Sequence, residues 1–190
     1  METFTFPQFS RERSTVHAAL FTNVSNAGAL RKRIIDAAGM EGEAGERERD
    51  AVNFAFIDAR LITSRLHLQT AIYHAILAES QNSLRTRTVH SEVLWMLNPT
   101  NNITEALRRY GVSDKTASVI VVSMDGATSD KMAAAVTGAL SPFGALDTVT
   151  DWAAVKKYHK LNGEAGIEKG GRTAVDRVVV SIVAMKNVMS

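Results

Sequence analysis

The sequence predicts an α+β fold, a small and mostly antiparallel sheet covered by several helices, in one domain. Three observations carry that prediction. The chain has 190 residues, of which 45% are apolar and 22% charged, enough apolar material for one core without cross-links. Helical segments outnumber strands. The strands do not alternate strictly with helices, as a parallel sheet built from βαβ units would require.

Taken in order, Thr3 to Phe9 and Val16 to Phe21 read as two short strands separated by the charged turn Ser10 to Arg13. Asn26 to Ala38 reads as a helix, with Leu30, Ile34 and Ala38 on one face, Ser25 or Asn26 as its cap and Gly39 at its end. Met40 to Asp50 (MEGEAGERERD) is almost wholly polar and has no periodicity, so it is expected to be a flexible surface insert. Ala51 to Ile57 is an apolar run of strand length. Thr63 to Ser80 is a long helix with an apolar stripe through Leu68, Ile72, Ala75 and Ile76, and Val89 to Asn98 reads as a shorter helix, with a strand as the alternative for so short an apolar run.

Asn102 to Tyr110 carries a capping-box pattern, Asn102 with Glu105, and Gly111 as its stop. Ser118 to Met124 (SVIVVSM) is the clearest strand. Ser129 to Leu140 follows as an alanine-rich helix capped by Ser129 and broken by Pro142; Asp151 to Leu161 is a helix capped by Asp151, and Thr173 to Val188 is the last.

Several chemistries are excluded. The chain has no cysteine, so it carries no disulfide, thiol nucleophile or cysteine-bound zinc. Met1 to Ser10 has no apolar run of signal-peptide type, and Asp176, Arg177 and Lys186 interrupt the most apolar tract, so no membrane span is expected. A net charge of +2 leaves nucleic-acid binding to local basic clusters. His67 and His74 share a helix face about 10 Å apart, too far for one metal ion. No HExxH, GxSxG or paired-carboxylate pattern is present, and Asp58, after a strand, is expected to serve turn chemistry.

Two segments remain. Gly166 to Thr173 has the glycine spacing of a phosphate-binding loop, with Arg172 in place of the usual lysine. No strand precedes it, so a small enzyme or phosphate-ligand protein using this loop is the alternative reading, and a flexible loop capped by Thr173 the simpler one. Leu84 to Glu92 (LRTRTVHSE) alternates Arg85 and Arg87 with the hydroxyls of Thr86 and Thr88, a pattern that can meet phosphates.

The stretches NFAFIDARLITSRLHLQTAIYHAI and LRTRTVHSEVLWMLNPTNNITEALRRYGV resemble the PRPK-binding protein (TPRKB) family, the smallest core subunits of the KEOPS/EKC assembly, and the match runs with little interruption from Asn53 to Val122. PQF and ALFTNVSNA near the start also fit. The insert Met40 to Asp50 departs from the family pattern, and Gly126 to Gly171 matches only weakly.

The resemblance implies a subunit with no catalytic site or cofactor. It would bind the N-lobe of a small atypical kinase of the PRPK/Bud type. It would support that kinase and help recruit tRNA by its 3′ end. A separate transferase subunit then makes threonylcarbamoyl-adenosine beside the anticodon. It further implies a location in nucleus and cytoplasm, and, for fungal relatives, links to telomeres and transcription.

The family places the kinase contact on the last helix and on Thr63 to Ser80. The residues expected there are Val175, Val179, Ile182 and Val183 with Ile72 and Ile76. The last helix is apolar on more than one face, since Val180, Ala184, Val188 and Met189 extend beyond its main stripe, as suits a helix that a partner helps to cover. For tRNA the candidate surface is Arg85 and Arg87, the loop Asn98 to Ile103 with its Asn98, Asn101 and Asn102, and Arg108 with Arg109.

Overall fold

The computed structural model describes residues 1–126 and 129–189. The side chains of Ser129, Val188 and Met189, to which the sequence assigned a cap and part of an apolar face, lie outside the described residues. The chain divides into two compact units, each drawn from two separate stretches.

The first unit, Met1–Asp58 with Gly111–Phe143, holds the sheet. Its strands are β1 (Glu2–Thr5), β2 (Thr15–Thr22), β3 (Ala55–Asp58), β4 (Ser118–Ser123) and β5 (Ala139–Ser141). They run in the order β1-β2-β4-β3, with β5 also on β2, and every pairing is antiparallel. Its helices are α1 (Ala27–Gly39), α2 (Gly42–Ala51) and α6 (Ser129–Ala135). Leu30 of α1 and Met132 and Ala135 of α6 pack on Ala19, Phe21, Phe56, Val119 and Val121, giving one apolar cluster on one sheet face.

Three local readings change in this unit. Asn26 does not cap α1. Its side chain instead accepts from Thr137 N (2.9 Å) and donates to Ala135 O (3.2 Å), so it ties down the segment after α6. The expected helix to Leu140 stops at Ala135, and Ala139–Ser141 becomes β5 because it finds partners in Leu20 to Thr22. Alanine favours a helix by only tenths of a kcal/mol, so a ladder overrides it.

The polar insert is α2. Glu, Ala and Arg are good helix formers even without an apolar stripe. Arg33 of α1 pairs with Glu48, and Arg49 donates to the carbonyls of Ala37 and Met40, so polar contacts dock a helix with almost no buried side chain.

The second unit, Ala59–Tyr110 with the chain from Gly144 onward, is helical. It contains α3 (Arg65–Ser80), α4 (Val89–Leu97), α5 (Ile103–Tyr110), α7 (Leu146–Val149), α8 (Trp152–Tyr158) and α9 (Ala165–Met189). Ser64 caps α3 by accepting from His67 N (3.0 Å), and Thr88 with Ser91 forms a capping box on α4. Asn102 caps α5, accepting from Glu105 N at 2.9 Å, and Asp151 caps α8 in the same way. The core lies where α3 meets α4 and α9, through Leu68, Ile72, Ile76, Val93, Leu97, Val175, Val179 and Val183, all 2% exposed or less.

The glycine-rich segment is not a phosphate loop. Residues 165–170 are already helical, and only Gly171 (φ 57°, ψ −146°) breaks α9. Helix in place of a loop over residues 165–170 counts against the alternative reading of a phosphate-ligand protein built on Gly166 to Thr173.

Candidate functional site

The last helix separates into two faces. Val175, Val179 and Val183 fall at i, i+4 and i+8 and are buried, as are Ile72 and Ile76 of α3. These five residues, expected at a kinase contact, form the packing between α9 and α3. Apolarity alone could not separate them from surface residues. Ile182 is the expected contact residue that lies off this stripe and is half-buried.

Around Ile182 the structure has a groove of about 580 Å³. One wall is α9, through Val178, Ile182 and Met185; the other is the loop between α4 and α5, through Pro99 and Asn101. Met185 is 53% exposed, a large apolar side chain open to solvent. Sequence reading missed Met185, although its residue type is one that lines adaptable contact surfaces, and offered Pro99 only as part of the loop Asn98 to Ile103.

The loop facing α9 is held from inside. Asn98 is fully buried, and its amide donates to the Thr100 hydroxyl at 2.8 Å and the Thr100 carbonyl at 3.0 Å. Asn102 is occupied by its cap. Of the three asparagines offered for base contacts, Asn101 is thus the exposed one that lines the groove. Turn chemistry accounts for the other two. Lys186, 5% exposed, lies under this loop, with its ammonium on the carbonyls of Trp95, Asn98 and Thr100 and above the Trp95 ring.

The arginines differ as well. Arg85 and Arg87 are exposed. The backbone that carries them is pinned by Glu92, which is fully buried. Its carboxylate accepts from Arg85 N (3.0 Å), Thr86 N (2.8 Å) and the Thr86 hydroxyl (2.7 Å). Arg108 is open to solvent, 4.0 Å from Glu105. Arg109 is mostly covered: it pairs with Glu105 and stacks on the Tyr158 ring at 4.3 Å. Arg109 therefore serves packing inside this unit. Glu92 and Lys186 were missed, yet each had a signal. Glu92 is the one acid in the apolar helix VHSEVLWML, and Lys186 follows Val179 and Val183 at helical spacing on their face.

Deeper in the same unit lies a set of buried polar groups. His67 Nδ1 accepts from Thr63 N at 3.2 Å, and the Thr63 hydroxyl donates to Asp176 at 2.7 Å. His159 Nε2 is 3.4 Å from the Tyr110 hydroxyl. Burial, with a smaller contribution from His159, pushes His67 down to about 3; burial with the nearby Arg109 charge pushes His159 down to about 4. Both imidazoles are therefore neutral at physiological pH, and among the described residues no group of side chains could hold a metal ion.

Comparison with known proteins agrees with the resemblance seen in the sequence. The family model described as kinase binding protein CGI-121 matches residues 21–187. A protein of Cryptococcus neoformans called EKC/KEOPS complex subunit CGI121 is 34% identical over the full length of both chains. Its namesake from Neurospora crassa is 33% identical over 90% of this chain and 91% of its own, and that from Yarrowia lipolytica 31% identical over 95% and 97%. A match of that length, at that identity to full-length relatives, establishes that this chain belongs to the CGI-121 family.

Proposed function

We propose that the chain is a non-catalytic adaptor of a KEOPS-type assembly, binding the N-lobe of a small PRPK/Bud-type atypical kinase through the α9 groove. The observation that carries this is the open apolar groove itself, in a family described as kinase binding. Ile182, Met185 and Pro99 supply the kind of central apolar anchors in which binding energy concentrates. The kinase joins this chain to the transferase subunit that makes threonylcarbamoyl-adenosine. The chain supports the kinase by binding its active and inactive states unequally. It works in nucleus and cytoplasm.

The exposed Arg85, Arg87 and Arg108, with Asn101, form the contact for the single-stranded 3′ end of tRNA. The guanidinium groups meet phosphates, and Asn101 offers a donor and an acceptor to a base edge. Net charge is small, so this contact is salt-sensitive and weak alone.

The test is kinase binding by Ile182→Glu and Met185→Glu, both expected to stay folded by circular dichroism and to lose the kinase. Arg85→Glu with Arg87→Glu should keep the kinase and weaken intact tRNA more than tRNA lacking its 3′ nucleotides. Wild-type kinase affinity in folded Ile182→Glu would place the kinase elsewhere.

A further inference from the structure

Lysine is rarely buried without partners, yet Lys186 is 5% exposed. Its ammonium carries three protons, and three carbonyls surround it: Trp95, Asn98 at 2.5 Å and Thr100 at 3.0 Å. The Trp95 ring faces the same charge at 3.9 Å. The Trp95 carbonyl belongs to the last turn of α4, where it also accepts from Asn98 N at 3.2 Å and the helix dipole favours a cation. The other two carbonyls belong to the loop whose Pro99, Thr100 and Asn101 line the groove. Lys186 itself lies one turn beyond Ile182 on α9, the opposite wall. One ammonium therefore joins both walls.

We infer that Lys186 is a positioning residue that holds the Asn98–Asn102 loop against the last helix and sets the groove to the shape its partner needs. The inference rests on the groove being the kinase-docking face.

The charges around Lys186 are few. The Glu92 charge of α4 favours the charged lysine, Glu105 of α5 is reached through the Thr100 hydroxyl at 2.8 Å, and Arg177 lines the groove from α9. Burial lowers the lysine to about 8 and Glu92 opposes that shift, so the group is charged at neutral pH and loses its proton in mildly alkaline solution. A neutral amine has two protons for three carbonyls and no charge for the ring, which loosens the loop.

The experiment uses the full chain as wild type, Lys186→Met and Lys186→Arg, each also with Trp152→Phe so that fluorescence reports Trp95. Three readouts are taken from about pH 6 to about pH 10: Trp95 emission, amide exchange of residues 100–103, and affinity for the kinase. In wild type, emission should step near pH 8, with exchange rising and affinity falling across the same step. Lys186→Met should show no step and bind about tenfold more weakly, if the competent loop population falls to about a tenth. Lys186→Arg should regain most of the affinity and show no step.

Folded Lys186→Met with wild-type exchange and affinity overturns the inference. If Lys186→Met does not fold, absence of a pH step in wild type overturns it instead. If wild type does not bind the kinase, the docking reading fails by itself, while emission and exchange still decide what Lys186 does to the loop.

Discussion

Glu92 is the side chain on which the arginine loop depends. It is fully buried and accepts from two backbone N–H groups and one hydroxyl, all from Arg85 and Thr86. Hydrogen bonds to a charged acceptor are stronger than neutral ones, and loss of the acceptor leaves the donors and Lys186 uncompensated. Glu92→Ala should therefore destabilise the chain by about 2–4 kcal/mol, read from urea midpoints at unchanged slope. Glu92→Gln should lose less, because an amide oxygen still accepts from the loop. Exposed Arg85→Ala, which removes none of these bonds, should leave stability within about 0.5 kcal/mol of wild type.

In the last helix, neighbouring residues should answer the same substitution in opposite ways. Val179 is fully buried, so Val179→Glu places an unpaired carboxylate in the α3–α9 packing and should unfold the chain or cost several kcal/mol. Half-buried Ile182 can turn a glutamate to solvent, so Ile182→Glu should keep near-wild-type helicity and thermal midpoint. Circular dichroism melts separate the two. Near the start of α9, Gly171 has φ 57° and ψ −146°, a backbone region that L side chains rarely enter. Open space surrounds it, so the penalty in Gly171→Ala is backbone strain alone, about 1–3 kcal/mol by chemical unfolding.

The stability of the molecule should carry the signature of its buried histidines. His67 and His159 titrate at about 3 and about 4 in the folded chain, against 6.5 for an ordinary histidine. As pH falls below 6.5 the unfolded chain takes up these protons and the folded chain does not, so stability is lost. The loss continues until the pH reaches the folded values. Between pH 6.5 and pH 5, where most carboxylates remain ionised, each histidine should account for about 2 kcal/mol. Urea midpoints across that range should fall, and His67→Gln should flatten the slope.

The sequence by itself determined the family, the helical majority, the antiparallel sheet and most helix starts. Those features are local, or are carried by runs of residues long enough to compare. Ser64, Thr88, Asn102 and Asp151 cap their helices within three residues of sequence. Only tertiary structure decided which valines of α9 are core, that Ala139–Ser141 joins β2, and that residues 42–51 dock as a helix. It also showed that Asn98, Asn102 and Arg109 act as braces, while Asn101 lines the groove and Arg108 is open to solvent. The physical reason is the same in each case. A residue's type fixes what it can bond to, but burial and partners come from segments far along the chain. Lys186 and the Trp95 carbonyl it holds are 91 positions apart, and no local pattern could have joined them.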